Sequence, residues 1–268
     1  MCGRYGSWSA GAAVARYFDA DPLPPTEEVE ASWNIAPGSD VRVVVERLAR
    51  DSAGDDDVRA ARQLRCARWG LLPGWARRAD VAFRAFNARS ETAASKPTFR
   101  QAFRSFRALV PADCWYEWRR PAVDSVSPDE PERPRSRPYA VSRQDEEPLA
   151  LAGLCAWWPV PASHPAPRPG PSIHDKDGAR WMLTCTILTR PAREELAWLH
   201  DREPVVLGTS VVDRWLDPSL REPGEVSHLL EQPGPALRWW EVGPEIGSAR
   251  SRGPQLALPL RKDGEGLV

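Results

Sequence analysis

Short apolar segments separated by polar stretches make up most of the hydrophobic pattern of this chain. Six of these segments have the length of β-strands rather than of helices. They are Val41–Val45, Ala108–Pro111, Tyr139–Ser142, Leu149–Leu154, Met182–Leu188 and Pro204–Leu207. Because no repeated strand–helix alternation separates them, the pattern favours a mainly antiparallel sheet or barrel over a parallel α/β fold.

Three other stretches predict helices. The first is Ala10–Phe18. The second is Pro191–Leu199, with Thr189 as a plausible N-cap and acidic residues in its first turn. The third helix starts with Val211–Leu216 and has Ser210 as its N-cap. We therefore predict an α+β fold, with a mainly antiparallel β-barrel or sheet core and flanking helices.

Three polar stretches interrupt the apolar pattern. Asp51–Asp57 predicts a hairpin loop between the strand Val41–Val45 and the segment Gln63–Trp69. Arg119–Arg137 and Pro159–Gly178 are rich in proline and cannot form a core or a helix, so we predict long surface loops there.

The size of the chain permits one large domain or two small ones. It has 268 residues, of which 42% are hydrophobic, enough for a substantial core. We predict a single domain over residues 1–253, followed by a C-terminal tail over 254–268. The first thirty residues contain charges and no apolar run approaches the ~20 residues of a membrane helix, so we expect a cytoplasmic protein without a membrane segment.

Positive charge is concentrated in the middle of the chain. The segment from Arg65 to Arg120 carries twelve basic and four acidic residues, a net charge of +8, whereas the rest of the chain sums to −9. The chain also has thirteen tryptophans, whose rings can stack on bases. This combination is compatible with a local polyanion groove, although a solvated arginine face has the same composition.

The five cysteines have no spacing typical of a metal finger. Their odd number and scattered positions indicate a reducing compartment without a disulfide framework. The sequence therefore predicts no metal site, and we expect no cofactor.

Cys2 follows the initiator methionine directly. Removal of Met1 would leave an α-amine and a thiol on adjacent carbons, with unperturbed pKa values of about 8 and 8.5. Such a 1,2-aminothiol can condense with an aldehyde to an imine, which the thiol closes into a thiazolidine. A buried structural role for Cys2 is the alternative, since free cysteines are often buried.

Four short blocks accompany this cysteine. They are Cys2-Gly3-Arg4-Tyr5, Trp33–Gly38 (WNIAPG), the pair Trp69–Trp75 (WGLLPGW) and Asn87–Thr92 (NARSET), and the pair Pro111–Trp118 (PADCWYEW) and Leu199–Arg202 (LHDR). In this order the blocks resemble the SOS-response-associated peptidase (SRAP) family, whose members cross-link to abasic sites in single-stranded DNA. The resemblance extends from Cys2 to about Leu216, and a short further match lies at Arg252–Pro259.

The resemblance implies catalytic roles for four residues. Cys2 would be the covalent nucleophile after Met1 is removed by the peptidase activity of the family. Asn87 would hold the amine or the sugar, and Glu117 would be the general acid/base. His200 would be a second acid/base or would orient the sugar oxygen.

The resemblance also implies a DNA-binding set. Arg4, Arg89 and Arg202 would contact phosphates, and Thr189 would add a hydrogen bond to the DNA backbone. Pro37, Trp75 and Trp118 would pack on bases that flank the lesion. The implied partner is single-stranded DNA with abasic sites, bound by a monomer associated with the nucleoid when it acts.

The chemistry of these residue types agrees with the implied reaction. An open abasic deoxyribose carries an aldehyde at C1′, and loss of water from the carbinolamine needs a proton donor. The aromatic neighbours of Glu117 provide a setting that could raise its pKa. Capture of the imine by the thiol would leave a stable adduct and prevent strand cleavage by β-elimination.

Two other function classes remain open at this point. An N-terminal-nucleophile amidotransferase also begins Met-Cys-Gly, with the amine as base for its own thiol. A non-covalent single-strand binder, or a peptidase with a protein substrate, would use the same arginines and tryptophans.

The chain departs from the family pattern at two places. Glu203 follows Arg202 where an apolar or basic residue is expected, so we predict that it pairs with Arg202 and weakens DNA binding. Ser248 and Ser251 stand where members often carry asparagine, which puts a contact of the C-terminal match in doubt.

Overall fold

The computed structural model describes residues 2–50, 58–119, 136–161, 172–176 and 178–260. Its strands are β1 (Tyr5–Ser7), β2 (Ser32–Ile35), β3 (Asp40–Arg50), β4 (Val58–Trp69), β5 (Asn87–Arg89), β6 (Arg107–Ala112), β7 (Cys114–Arg119), β8 (Arg137–Arg143), β9 (Leu149–Pro159), β10 (Ile173–Lys176), β11 (Ala179–Pro191), β12 (Arg202–Pro204) and β13 (Leu237–Glu241). Its helices are α1 (Gly11–Tyr17), α2 (Ser90–Ala93), α3 (Arg100–Ser105), α4 (Thr209–Leu216) and α5 (Pro223–Glu231).

A five-stranded barrel forms the centre of the molecule. Its strands follow the order β11-β4-β3-β6-β9, and β9 closes the ring because it pairs with β11 from Gly153↔Ile187 to Pro159↔Trp181. The pairings in the barrel are antiparallel except for β11 with β4. A second sheet, ordered β13-β8-β7-β1-β2, is antiparallel throughout.

The barrel strands are apolar on both faces, and successive residues therefore enter different cores. Val44 belongs to a cluster that includes residues of α1, α3, α4 and α5, whereas Val43 and Val45 join Tyr5 and Trp115 of the second sheet. Side chains alternate between the two sides of a strand, which explains why one strand serves both clusters. The helices thus pack on the outside of the barrel, whereas the side chains inside the barrel form one core with residues of the second sheet.

The predicted α+β class with its mainly antiparallel core is confirmed. The predicted strands lie within β3, β6, β8, β9 and β11, except Pro204–Leu207, of which only Pro204 belongs to a strand. Helices α1 and α4 are also present. The residue before α4 is Gly208, so Ser210 lies inside that helix and is not its cap.

The predicted helix Pro191–Leu199 is wrong. Strand β11 continues to Pro191, and only a 3-10 turn follows at Glu194–Leu196. Thr189 is therefore a strand residue rather than an N-cap. Pairing of β11 with β12 uses the backbone groups of this stretch, and the Glu203 carboxylate accepts the Arg193 backbone N–H, so the chain has no free start for a helix.

The proline-rich stretch Pro159–Gly178 is not loop throughout. Strand β10 lies within it and forms a hairpin with β11, with Ile173 opposite Met182. Residues 162–171 lie outside the described part, as do the centre of the loop Arg119–Arg137 and all of Asp51–Asp57. The strands β3 and β4 that flank Asp51–Asp57 pair as the predicted hairpin.

The beginning of the predicted tail packs on the domain. Leu256 is buried beside Val242 and Ile246, and the Trp240 indole donates to the Ala257 carbonyl at 2.9 Å. Residues 261–268 lie outside the described part. Within the described ranges, no helix has the length and apolar character needed to cross a membrane.

Candidate functional site

The pairing of β1 with β7 brings the start of the chain to Glu117. Tyr5 lies opposite Trp115 and Gly6 opposite Cys114, and the Tyr116 backbone N–H donates to the Arg4 carbonyl at 2.9 Å. Continued in the same register, the chain before Arg4 runs beside the last residues of β7. A local strand pairing therefore joins two segments that are more than one hundred residues apart.

Cys2 is fully buried at this position, with a relative exposure of 0%. Its carbonyl accepts a hydrogen bond of 2.7 Å from the Asn87 side-chain amide. Asn87 begins β5, which is itself held by parallel pairing with β11 at Ile187. Burial raises the pKa of the Cys2 thiol, and the negative charge of Glu117 raises it further. The thiol is therefore held neutral next to a carboxyl group.

Glu117 is also buried, with a relative exposure of 5%. Burial raises the pKa of this carboxyl above its ordinary value, while the neighbouring His200 acts in the opposite direction. A carboxyl group with a raised pKa retains a proton closer to neutral pH than an exposed glutamate does. This is the property required of a general acid.

His200 approaches Glu117 from the turn that precedes β12. Its Nε2 lies 3.9 Å from Oε1 of Glu117. Its Nδ1 accepts the backbone N–H of Arg202 at 3.0 Å. The exposed Asp201 carboxylate lies 2.7 Å from the same nitrogen.

The four predicted catalytic residues thus meet in one place. They come from the chain start, β5, β7 and the turn before β12. The cluster combines a buried thiol, an amide that fixes the main chain of Cys2, and a carboxyl group with a raised pKa beside an imidazole. Within the described ranges, no group of three or more His, Cys, Asp or Glu residues is arranged to hold a metal ion.

Arg4 is tied to the C-terminal part of the chain through Asn34. Its guanidinium donates to the Asn34 side-chain oxygen at 2.9 Å. The Asn34 amide in turn donates to the main-chain carbonyls of Ser248 and Ser251, at 2.9 and 3.1 Å. Serine at these two positions does not prevent this contact, because it uses main-chain carbonyls that any residue supplies.

Arg202, the first residue of β12, is held by an ion pair. Its guanidinium forms two hydrogen bonds with the Glu91 carboxylate, at 2.5 and 3.0 Å, and donates to the Thr189 carbonyl at 2.6 Å. The Arg202 hydrogen bond lowers the pKa of Glu91 to about 2, so Glu91 remains ionised. Thr189 is buried, and its hydroxyl lies 3.2 Å from the same guanidinium. Glu91 and Thr189 therefore position Arg202. Arg89 lies opposite Thr189 on β5 and is exposed.

Glu203 does not pair with Arg202, contrary to the prediction from the sequence. Successive side chains of β12 point to opposite sides, and Glu203 is 1% exposed on the side away from Arg202. Its carboxylate contacts Arg190 at 2.8 Å and Arg193 at 3.0 Å. Its negative charge is therefore compensated inside the protein.

Replacing Glu203 with alanine should destabilise the protein without impairing the chemistry of the site. Loss of one member of a buried ion pair costs about 3–5 kcal/mol because the remaining charges stay uncompensated. Urea unfolding would measure the loss in the free energy of unfolding. If stability were unchanged and DNA binding improved instead, the charge of Glu203 would act on DNA as the sequence had predicted.

The predicted base-contacting residues lie in three different settings. Trp75 is 60% exposed and lines a cavity of about 240 Å³ with Phe106 and Trp157, and none of the four predicted catalytic residues lines this cavity. Trp118 is half-buried against the cluster around Cys114 and directly follows Glu117. Pro37 is half-exposed in the turn after β2. Only Trp118 is thus adjacent to the catalytic cluster along the chain.

Sequence reasoning missed two groups of residues near the site. Asn34 and Glu91 lie within the motif blocks, but no role had been derived for them; a polar residue inside a block was the available signal. Tyr139, Trp198 and Trp239 form a second group whose rings contact one another beside Glu117. No sequence spacing connects these three, because they lie on separate strands and turns.

Comparison with known proteins gives consistent matches over most of the chain. The family model described as SOS response associated peptidase (SRAP) matches residues 1–249. Abasic site processing protein YoqW of Bacillus subtilis (strain 168) is 29% identical over 259 residues, which cover 96% of this chain and 98% of that protein. Abasic site processing protein YoaM of the same organism is 30% identical over 230 residues, which cover 86% of this chain and 85% of that protein.

The fold is also similar to a solved structure. A crystal structure of a protein from Bacteroides thetaiotaomicron superimposes with a TM-score of 0.70 at 19% sequence identity. The match covers 97% of this chain and 100% of that one. At this identity the likeness concerns the fold alone.

Proposed function

Because the chain belongs to the SRAP family, we propose that it processes abasic sites in single-stranded DNA by forming a covalent adduct through Cys2. The names of the relatives YoqW and YoaM, both abasic site processing proteins, support the lesion as the target. The contact that carries the proposal is the fixation of Cys2 by Asn87 next to the buried Glu117.

The reaction begins once Met1 has been removed. The free α-amine of Cys2 adds to the C1′ aldehyde of the open abasic sugar and gives a carbinolamine. The hydrogen bond from Asn87 to the Cys2 carbonyl limits rotation of this residue, so the amine and the thiol are presented in one orientation. Removal of Met1 by the protein's own peptidase activity stays a prediction of the family resemblance.

Glu117 then serves twice in the proposed mechanism. Its carboxyl proton passes to the carbinolamine hydroxyl, water leaves, and an iminium ion forms between the Cys2 nitrogen and C1′. The resulting carboxylate takes the thiol proton, and the sulfur attacks C1′ to close the thiazolidine. Amine, thiol and aldehyde are thereby converted to a ring and one water, and Glu117 regains its proton.

Ring closure explains why such a protein would protect DNA. The iminium ion acidifies the C2′ proton and favours β-elimination, the lyase reaction that breaks the strand. Attack by the thiol removes the C=N bond that drives this elimination. A thiol held beside C1′ therefore favours a stable adduct over strand cleavage.

Recognition in this proposal depends on the aldehyde and on the DNA backbone rather than on base identity. Arg89 is exposed beside the site, and Arg4 and Arg202 are fixed near it by Asn34 and Glu91. Arginines so arranged can contact phosphates without reading sequence. Exposed aromatic residues such as Trp75 would stack on bases in the same sequence-tolerant way.

Denaturing electrophoresis tests the proposal. The protein is incubated with single-stranded DNA that contains an abasic site made by uracil removal, and separately with DNA that carries a tetrahydrofuran at the same position. We expect a band that survives denaturant only with the true abasic site, because tetrahydrofuran has no aldehyde. Absence of that band, with intact protein whose N-terminus is Cys2, would contradict the proposal and leave a non-covalent binder.

A further inference from the structure

Two exposed tryptophans form a patch beside the catalytic cluster. Trp198 and Trp239 are 39% and 37% exposed, and their ring centroids lie 6.3 Å apart. Tyr139 contacts Trp198 edge to face at 5.1 Å, and the Arg119 guanidinium lies 5.4 Å from the Trp198 ring. We call these four residues the aromatic platform.

The platform continues the face of the sheet that carries Glu117. Glu117 and Tyr139 are directly opposite each other in the pairing of β7 with β8, and Arg119 lies two residues further along β7 on the same side. Trp239 lies opposite Val141 on the neighbouring strand β13. Trp198 comes two residues before His200. Both ends of the platform are thus attached to catalytic residues.

The Trp198 ring is held by a hydrogen bond and can offer a ring face. The Trp198 indole N–H donates to the Glu195 carbonyl at 2.9 Å, which fixes the orientation of this ring. The planes of Trp198 and Trp239 are inclined by 54°, so a flat ligand cannot lie between them and would stack on an outer face instead. Side chains held in place lose little entropy when a ligand binds.

One cation, Arg119, lies against the rings of the platform. Arg137 is paired with Glu241 and Arg238 with Glu146, so these charges are compensated. The Arg119 guanidinium lies over the Trp198 ring, at 5.4 Å from its centroid, and places a positive charge at the platform. One cation beside exposed rings is the arrangement that binds a nucleotide of a single strand.

The size of the patch argues against a protein partner. Two tryptophans exposed by a little over one third present roughly 200 Å² together. A stable protein interface buries about 800 Å² on each partner. A nucleobase needs only one ring face, which this patch provides.

We infer that the aromatic platform binds the base of a nucleotide next to the abasic site, in the same single strand. This inference rests on the proposed function, since it assumes that the abasic sugar lies at Glu117. It adds a stacking subsite, formed by Trp198 and Trp239, to the tryptophans that the sequence had pointed to.

Binding measurements with DNA that cannot react test the inference. The strands carry a tetrahydrofuran in place of the abasic sugar, and a second tetrahydrofuran replaces the nucleotide on either its 5′ or its 3′ side. Removing the base on one side should weaken binding to the wild-type protein about tenfold, because stacking of one base contributes ~1–3 kcal/mol. The same removal should have little effect on Trp198→Ala, since the partner ring is then missing.

Three controls make the outcome specific. Trp198→Phe keeps a ring and should retain most of the effect, Trp239→Ala should reduce it, and Leu48→Ala, at an exposed apolar residue on β3, should leave it unchanged. If base removal weakened the wild type and Trp198→Ala equally, on both sides of the lesion, the platform would not be the subsite. A different result would contradict the proposed function alone: base removal weakens binding only when Trp198 is present, but the wild-type protein forms no cross-link with true abasic DNA.

Discussion

Replacing Cys2 with alanine is expected to reduce the denaturant-resistant adduct with abasic single-stranded DNA to background. Alanine retains an α-amine after Met1 is removed and so can still form an imine, but it has no thiol to close the ring. An imine hydrolyses readily, and it is lost when the complex is denatured. The measurement is the fraction of labelled DNA that migrates with the protein in a denaturing gel.

Cys2→Ser separates the two steps of the reaction. The serine variant should give an adduct that survives only after reduction with borohydride, because reduction converts the imine to a stable amine. Cys155→Ala is the matched control, since Cys155 is equally buried but lies in the barrel on β9. An unreduced Cys2→Ser adduct as stable as that of the wild type would exclude the thiazolidine.

Replacing Glu117 with glutamine is expected to slow adduct formation by about 10²–10⁴-fold, the range typical of general acid–base catalysis. Glutamine fits the same volume and can accept a hydrogen bond from His200, but it cannot donate a proton to the carbinolamine hydroxyl or take one from the thiol. Single-turnover rates at saturating protein would measure the loss. A fall of less than about threefold would leave Glu117 without the proposed role.

The pH profile gives a second test of Glu117. In the proposed mechanism its protonated form is the active one, and burial raises its pKa, so the wild-type rate should fall as the pH rises through that raised pKa. The amine acts in its neutral form, so the rate should fall again at low pH, which makes the profile bell-shaped. Glu117→Gln should lose the alkaline fall only, whereas Glu46→Gln, at a carboxylate paired with Arg62, should keep the whole profile.

Those parts of the fold that depend on local patterning could be predicted from the sequence. Apolar segments such as Leu149–Leu154 and Met182–Leu188 are strands because their residues are buried on both sides of the barrel. The helix predicted over Pro191–Leu199 is wrong because the signals for it are local, whereas the structure of this stretch is decided by pairing with β12. No local signal reports a partner strand that follows ten residues later.

The residues of the proposed catalytic cluster can be named from the sequence, but their arrangement in space cannot. Cys2, Asn87, Glu117 and His200 were identified through motif blocks, but their meeting depends on the β1–β7 and β5–β11 pairings. Glu203 shows most clearly what the sequence cannot predict. Whether its side chain lies on the same face of β12 as Arg202 or on the opposite one depends on where the strand begins and how it pairs.

The aromatic platform could not be predicted for a related reason. Trp198 and Trp239 are separated along the chain and approach each other only through the turn after β11 and the position of β13 at the sheet edge. In a chain with thirteen tryptophans, composition alone does not distinguish these two from the ones in the cores.

Tandem mass spectrometry of the adduct tests the central claim most directly. The wild-type protein is cross-linked to a short abasic strand, digested with protease and nuclease, and the modified peptide is sequenced. We predict a peptide that begins at Cys2, lacks Met1, and carries the sugar on its first residue with the mass of one water lost. An adduct on another residue, such as the amine of Lys96, or on a chain that retains Met1, would contradict the account.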